Sequence, residues 1–279
     1  MLPPSKLKKF PISPIFVPAN KLDWIEKTYD KGADAVIIDL EDSVSNELKA
    51  DARSNLVSFL KTKESDRTLL VRVNPIDQQT GLEDIKILSE ISSKIDAFVL
   101  PKIESLEHLE VLPQVDLVPL IETPTALRNI AMLSSHERVV GIALGGADLS
   151  ASLGSDMSWD SLLFARSQLL LEAAINNLFT IDSPFMDMDD LSGLEKESIL
   201  SKRLGFTGKA AIHPNQIEVI TNSFLPTEKD IKEAKAIIKA FNSSPEAVIA
   251  YEGKMVDMPI VLSMEKRLKL VGIDPKNID

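Results

Sequence analysis

The chain has 279 residues, 44% of them hydrophobic, and a formal net charge of −11. This acidic balance argues against binding to a nucleic-acid backbone, and the absence of cysteine excludes disulfides, zinc–thiolate sites and a cysteine nucleophile. No apolar run reaches the roughly 18 residues of a membrane span. The basic N-terminus lacks the apolar segment of a signal peptide, so we expect a cytoplasmic protein that contacts neither membrane nor nucleic acid.

Short apolar runs alternate with helical segments along the chain. Strands are predicted over residues 15–18, 35–40, 69–73, 97–100, 117–121, 139–144, 179–181 and 209–212. Helices are predicted over residues 21–31, 46–62, 83–92, 159–176 and 193–204. This alternation is typical of parallel strands joined by crossover helices. Eight such units favour an α/β fold of the (β/α)8 TIM-barrel type over the alternative, an open doubly wound sheet.

The chain continues beyond the eighth strand. We predict a catalytic barrel domain over residues 1–222 and a short C-terminal helical extension over residues 223–279. In the extension, residues 227–241 and 261–270 are predicted as helices, and residues 250–259 as turn-like. Because the extension is too short for a stable independent domain, we expect it to act as a lid over the barrel mouth or over a neighbouring subunit.

Two acids follow the ends of predicted strands, where the active sites of TIM barrels lie. In the string LVPLIETPT, Glu122 directly follows the apolar strand, and in GIALGGADLSASLG, Asp148 follows Gly145 and Gly146. Two carboxylates at neighbouring strand ends are suitable ligands for a hard cation such as Mg²⁺, and Mn²⁺ would use the same ligands. The alternative is that each acid caps the N-terminus of a helix.

A second acidic cluster, Asp39, Glu41 and Asp42, ends the second strand. Charges this dense repel one another unless a cation or an arginine lies among them. Alternatively, one acid caps the helix that follows, and another pairs with Lys49 or Arg53 in that helix.

Basic residues also end predicted strands. Arg72 lies in the apolar string LLVRVNP and needs an anion, either an acid of a neighbouring strand or a substrate carboxylate. Lys102 also needs either an internal acid or a substrate anion, and we favour an ion pair with Glu104 or Glu122. For His213 and Asp182 we favour local roles, a hydrogen bond and a cap or turn respectively.

The ordered strings resemble one family, the citrate lyase β-subunit-like members of the HpcH/HpaI aldolase superfamily, which are CoA-ester lyases. The resemblance runs from Phe16 to about Pro259. The matching strings are FVPAN, GADAVIIDLEDSV, KADAR, VRVNP, LPKIES, LIETPTAL, GIALGGADLSASLG, TIDSPF, LGFTGKAAIHPNQI and GKMVDMP.

The resemblance implies a metal-dependent carbon–carbon lyase, an oxo-acid-lyase with Mg²⁺ as cofactor. Its substrate would be a 3-hydroxyacyl-CoA thioester such as citramalyl-, malyl- or citryl-CoA, cleaved to acetyl-CoA and a 2-oxo acid. By the same resemblance, Glu122 and Asp148 bind the metal and substrate, Glu41 and Asp42 hold metal-bound waters, and Arg72 contacts oxygens at the scissile centre.

Further roles follow from the resemblance. Asp257 is expected to be the acid/base, delivered from an adjacent subunit of a homo-oligomer, a trimer or hexamer. Backbone N–H groups near Ala147 are candidates to hold the distal carboxylate of the substrate. Lys21 and Leu22 stand where relatives often have Arg-Pro near the CoA phosphate or adenine, so Lys21 keeps the charge there without the guanidinium fork. Relatives also often carry Arg-Ser where this chain has Ile12 and Ser13.

Alternative functions remain open from the sequence. The chain could be the β subunit of a citrate lyase complex, acting on a carrier-protein thioester. It could also be a non-catalytic protein that binds CoA or another metabolite, or a pyruvate aldolase that does not use CoA. The presence of Asp257 favours a stand-alone lyase, and the filled charged positions at the strand ends disfavour a non-catalytic protein.

Overall fold

The structure is a computed structural model that describes residues 10–62 and 67–278. Most of the basic N-terminal stretch, for which the sequence predicts no signal peptide, lies outside these residues. No helix within the described ranges has the length and apolar character needed to cross a membrane. The chain divides into two compact units, the first ending at Thr221 and the second beginning at Asn222.

The first unit is built on one eight-stranded parallel sheet whose strands follow one another in chain order. The strands are β1 (Ile15–Pro18), β2 (Ala35–Asp39), β3 (Thr68–Arg72), β4 (Ala97–Leu100), β5 (Asp116–Ile121), β6 (Gly141–Leu144), β7 (Phe179–Asp182) and β8 (Gly208–Lys209). Hydrogen bonds join the two ends of the sheet: Lys209 N donates to Ile12 O at 2.9 Å, and Ala211 N donates to Pro14 O at 2.8 Å. The predicted TIM-barrel fold is therefore confirmed.

Helices connect these strands and continue past the barrel. They are α1 (Trp24–Asp30), α2 (Lys49–Thr62), α3 (Gln79–Ser89), α4 (Leu106–Glu110), α5 (Pro124–Arg128), α6 (Ile130–Ser134), α7 (Gly146–Leu153), α8 (Trp159–Asn176), α9 (Leu191–Leu204), α10 (Pro214–Phe224), α11 (Glu228–Asn242) and α12 (Met258–Lys269). Helix α8 has the predicted bounds because both of its ends are marked in the sequence. The Ser158 hydroxyl accepts a hydrogen bond from Ser161 N, and Asn177 ends the helix in the left-handed conformation.

Apolar side chains from successive strands fill the barrel interior. The core includes Ala35, Ile37, Leu70, Val99, Leu120, Ala143, Phe179 and Ile181. Phe179 fits because β6 begins with Gly141, where a Cβ atom would lie 2.4 Å from the Phe179 ring. The apolar runs of the sequence thus follow from strands that are buried on both faces.

Two predicted strands differ from the structure by more than one residue at one end. Regular pairing in β6 begins at Gly141 rather than at residue 139, and Val139 forms only an isolated bridge with Leu117. In β8 the ladder covers Gly208–Lys209, and beyond it Ala211 pairs with Ile15 as a single bridge.

The second unit contains α11, α12 and a hairpin of β9 (Val248–Tyr251) and β10 (Lys254–Asp257). The predicted turn-like character of residues 250–259 is wrong, because most of this stretch is paired strand. Only Glu252 and Gly253 form the turn, at φ values of 46° and 75°, as two-residue hairpin turns require. A separate apolar core of α11, α12 and the hairpin includes Ile238, Phe241, Val256, Val261 and Leu268.

Candidate active site

A cavity of about 330 Å³ lies at the carboxyl ends of the barrel strands. Its floor is apolar and includes Ile37, Val99, Leu120, Ala143 and Ile181. Its charged lining is supplied by Asp39, Asp42, Arg72, Glu122 and Asp148, with Asp182 beside them. The charges therefore lie where the sequence predicts a site, above an apolar floor.

Glu122 follows β5 and is buried, with 1% of its surface exposed. Lys102 N donates to Glu122 Oε1 at 2.9 Å. Gly145 leaves room for this carboxylate, since a Cβ there would lie 2.7 Å from Glu122 Oε2. Glu122 does not cap the next helix, because Thr123 Oγ1 accepts the hydrogen bond from Ala126 N at 3.0 Å.

Negative charge outweighs positive charge around Glu122, although Lys102 lies nearby. Burial, followed by the negative charges of Glu41 and Asp148, raises the pKa of Glu122 to about 8. A buried carboxylate beside two other acids is stable as an anion only with a nearby cation. The surroundings of Glu122 therefore fit a divalent cation.

Asp148 lies in the first turn of α7, which follows β6, and its side chain is 42% exposed. It lines the same cavity as Glu122. Within residues 10–62 and 67–278, no three His, Cys, Asp or Glu side chains converge on one point as a complete metal site. Two carboxylates beside an open cavity suit Mg²⁺, which commonly takes its remaining ligands from water and substrate oxygens.

Arg72 ends β3 directly opposite Asp39 in the strand register. Its Nε and Nη2 atoms donate to the two Asp39 oxygens at 2.7 and 2.8 Å, and its Nη1 lies 3.0 Å from Glu41 Oε2 and 3.3 Å from Asp42 Oδ2. Burial raises the pKa of Asp39, but the hydrogen bonds and charge of Arg72 outweigh it and hold the pKa below its usual value. The sequence offers an acid of a neighbouring strand or a substrate carboxylate as the partner of Arg72, and the structure shows acids of the neighbouring strand and the loop after it.

Glu41 is buried between two cations. Lys102 Nζ donates to Glu41 Oε1 at 3.0 Å, while Glu41 Oε2 accepts no hydrogen bond from any described residue, although Arg72 lies close to it. Burial raises the pKa of Glu41 despite these cations. The predicted ion pair of Lys102 with Glu104 or Glu122 is wrong. Its ammonium instead pairs with Glu41 and lies 3.8 Å from Asp148.

The alternative interpretation pairs an acid of the Asp39–Asp42 cluster with Lys49 or Arg53 of α2, and the structure shows other partners for both. Lys49 Nζ donates to the backbone oxygens of Leu40 and Glu41 at 2.9 and 2.7 Å. Arg53 Nε instead binds Asp84 at 2.6 Å. Lys49 thus fixes the backbone that carries Glu41.

Three other predicted residues make contacts of different kinds. Ala147 lines the cavity between Gly146 and Asp148. Lys21 is exposed, with its ammonium 5.9 Å from the Trp24 ring. Asp257 lies in the second unit, where its side chain caps α12 by accepting a hydrogen bond from Ile260 N at 3.3 Å.

The predicted local roles agree with the structure for His213 but not for Asp182. His213 Nδ1 accepts a hydrogen bond from Asn215 N at 3.3 Å, as the local role predicts. For Asp182 the expected cap or turn role is wrong, because its buried carboxylate binds Arg166 Nε at 2.9 Å and Lys209 Nζ at 3.0 Å. Burial raises the pKa of Asp182, but the charges of Lys209 and Arg166 outweigh burial and lower it.

Comparison with known proteins places this geometry in a family. The family model described as HpcH/HpaI aldolase/citrate lyase matches residues 13–214. The (3S)-malyl-CoA thioesterase of Cereibacter sphaeroides is 32% identical over 255 residues, covering 88% of this chain and 89% of the relative. Citrate lyase subunit beta of Haemophilus influenzae is 31% identical over 283 residues, covering 93% of this chain and 94% of the relative.

A solved structure agrees with these relatives. The protein CitE from Mycobacterium tuberculosis, in complex with magnesium, acetoacetate and coenzyme A, superposes with a TM-score of 0.84 at 28% sequence identity. The match covers 96% of this chain and 100% of that one. The chain therefore belongs to the HpcH/HpaI aldolase/citrate lyase family.

Proposed function

We propose that the protein is a Mg²⁺-dependent carbon–carbon lyase that cleaves a 3-hydroxyacyl-CoA thioester to acetyl-CoA and a 2-oxo acid. The observation that carries the proposal is the pair of acids, Glu122 and Asp148, on one cavity at the strand ends. Family membership supports the reaction class, and the solved relative with magnesium and coenzyme A supports the cofactor and the acyl carrier. A cytoplasmic location stays a prediction.

Glu122 and Asp148 are the residues that would hold the ion. Bound Mg²⁺ supplies a Lewis acid for the hydroxyl oxygen that becomes a carbonyl during cleavage. Cleavage transfers the proton of the 3-hydroxyl to a base and breaks the C2–C3 bond. The hydroxyl becomes the carbonyl of the 2-oxo acid, and the electron pair of the broken bond is left on the thioester as an enolate. Arg72 stabilises the negative charge at the reacting oxygens, while Glu41 and Asp42 hold waters beside the ion. Backbone N–H groups near Ala147 bind the distal carboxylate.

The enolate carbon then needs a proton, and we assign its delivery to Asp257. As a carboxylate, the same group would deprotonate acetyl-CoA in the condensation direction. The family resemblance implies that this role is performed in a homo-oligomer, a trimer or hexamer, in which one subunit supplies Asp257 to its neighbour. Lys21 is assigned to the phosphates of CoA as a single flexible charge.

Asp257→Asn is expected to remove turnover while leaving Mg²⁺ affinity and folding unchanged. Asparagine can still cap α12, so the Asp257→Asn substitution removes the acid and preserves the helix. Steady-state rates and isothermal titration with Mg²⁺ measure the two effects separately. The matched variant Asp257→Ala tests the cap, since it should cost about 1 kcal/mol of stability. Lost Mg²⁺ affinity in Asp257→Asn would make Asp257 a metal ligand instead.

The stability of the metal-free protein is expected to depend on pH through Glu122. Because its folded pKa of about 8 lies above its ordinary value of 4.5, the folded state retains a proton that the unfolded state has lost. Below pH 4.5, Glu122 is protonated in both states and does not reduce the free energy of unfolding relative to Glu122→Gln. Above pH 4.5, the free energy of unfolding falls relative to that variant by about 1 kcal/mol per pH unit until pH 8. Urea unfolding with a chelator measures this slope, and parallel curves for the two proteins would contradict it.

The reaction itself is tested by incubating the purified protein with Mg²⁺ and citramalyl-, malyl- or citryl-CoA. A lyase forms acetyl-CoA and pyruvate, glyoxylate or oxaloacetate, and it releases no free thiol. A second candidate, thioester hydrolysis, is favoured by the relative described as a thioesterase and would release free CoA. Turnover only of a carrier-protein thioester would indicate a citrate lyase subunit. No turnover despite Mg²⁺ binding would indicate a binding protein.

A further inference from the structure

Lys102 has a backbone conformation that is unusual for its residue type. Its φ angle is +51°, in the left-handed region that favours glycine. A lysine held there is strained and persists only when its surroundings fix it. In this conformation its backbone N–H points to Glu122 Oε1 at 2.9 Å, so the unfavourable backbone angle is tied to the position of one proposed metal ligand.

The side chain of Lys102 reaches the other acids of the site. Its ammonium lies 3.0 Å from Glu41 Oε1 and 3.8 Å from Asp148 Oδ1. Burial lowers the pKa of Lys102, but the Glu41 hydrogen bond and the charges of Glu41, Glu122 and Asp148 outweigh it and raise the pKa. One residue therefore contacts three carboxylates, one through its backbone and two through a charged ammonium.

Among the described residues, Lys102 is the cation best placed to balance Glu122 and Asp148. The neighbouring guanidinium of Arg72 is directed to Asp39, Glu41 and Asp42. An ammonium within 4 Å of a metal ligand repels a divalent ion and competes with it for that ligand. The same charge that stabilises the acids without an ion must therefore weaken the binding of the ion.

We propose that Lys102 is a positioning residue that acts as the resident counter-cation of the site. It holds the carboxylates in place before Mg²⁺ binds and keeps the affinity for Mg²⁺ alone low. Tight binding then needs the extra oxygens of a bound 2-oxo acid, so that ion and substrate bind cooperatively. The inference rests on the proposed function, because it takes Glu122 and Asp148 as the ligands.

Isothermal titration with Mg²⁺ alone tests the inference. In Lys102→Met, which keeps an unbranched side chain and the same backbone cost, Mg²⁺ should bind at least about tenfold more tightly than in the wild type, equivalent to about 1.4 kcal/mol. Lys102→Arg keeps the charge and should bind Mg²⁺ weakly. Lys86→Met removes an exposed lysine of α3 and should change nothing. Added pyruvate should tighten Mg²⁺ binding more in the wild type than in Lys102→Met.

Thermal unfolding gives a second readout that needs no metal. With a chelator present, Lys102→Met should melt at a lower temperature than both the wild type and Lys86→Met. Added Mg²⁺ should raise its melting temperature and so remove the difference. If Lys102→Met does not fold, Lys102→Gln takes its place in both measurements. Unchanged or weaker Mg²⁺ binding in the folded variant overturns the inference and leaves the proposed function intact. A wild type that binds no Mg²⁺, alone or with pyruvate, overturns both.

Discussion

Asp148→Asn is expected to abolish turnover and to weaken Mg²⁺ binding by more than about 100-fold. Loss of a group that merely supports a ligand typically costs 10- to 100-fold in metal affinity, and a ligand itself should cost more. The fold should be unaffected, because the Asp148 side chain is 42% exposed and, among the residues that the structure describes, makes one long ion pair, with Lys102. Titration with Mg²⁺ and steady-state assays of a CoA thioester measure these effects.

The matched control for Asp148→Asn is Asp160→Asn, which changes an exposed acid of α8 that has no place in the cavity. It should keep the wild-type rate and affinity. Glu122→Gln should behave like Asp148→Asn in activity. If Asp148→Asn keeps a near-normal rate, the assignment of Asp148 as a metal ligand is wrong.

Arg72→Met is expected to reduce both stability and activity. Removing the guanidinium leaves Asp39, which is 1% exposed, as an uncompensated buried charge. Breaking a buried ion pair in this way costs roughly 3–5 kcal/mol. Activity per folded molecule should fall about 10²- to 10³-fold, as when a group that stabilises developing charge is lost. Chemical unfolding and the thioester assay give the two values.

The double variant Arg72→Met with Asp39→Asn separates these two effects. Asparagine removes the buried charge, and its side-chain oxygen can still accept one of the hydrogen bonds that Glu41 N and Ser43 N donate to Asp39. Much of the lost stability should return while activity stays low. If activity returns together with stability, Arg72 has only a structural role.

Much of the barrel could be predicted because its strands are buried on both faces. Such strands appear in the sequence as short apolar runs, and Asn74, Pro101 and Pro184 mark points soon after three of them. The hairpin in the second unit could not be predicted in the same way. Its turn places Glu252 at positive φ, and glutamate gives no signal for that conformation, whereas an Asn-Gly pair would.

The charged residues at the strand ends could be predicted, because parallel strands bring their carboxyl ends to one edge of a barrel. Their partners could not. Asp182 pairs with Arg166 on α8 and Lys209 on β8, and nothing local in the sequence connects these positions. The contacts of Lys102 depend on a left-handed backbone angle, which the residues around it do not indicate.

The roles assigned to the site residues differ in what supports them. The positions of Glu122, Asp148 and Arg72 around one cavity fit a metal and a substrate with developing negative charge. The role of Asp257 rests on the family resemblance, since the structure shows its carboxylate as the cap of α12. The metal pair is therefore the claim on which the chemistry depends.

Anomalous diffraction from crystals of the protein grown with Mn²⁺ and pyruvate tests that claim most directly. Mn²⁺ takes the same oxygen ligands as Mg²⁺, and its anomalous signal locates the ion without ambiguity. One peak is expected in the barrel cavity, bonded to carboxylate oxygens of both Glu122 and Asp148 at about 2.0–2.3 Å. A peak that contacts only one of these residues, or that lies elsewhere on the molecule, would contradict it.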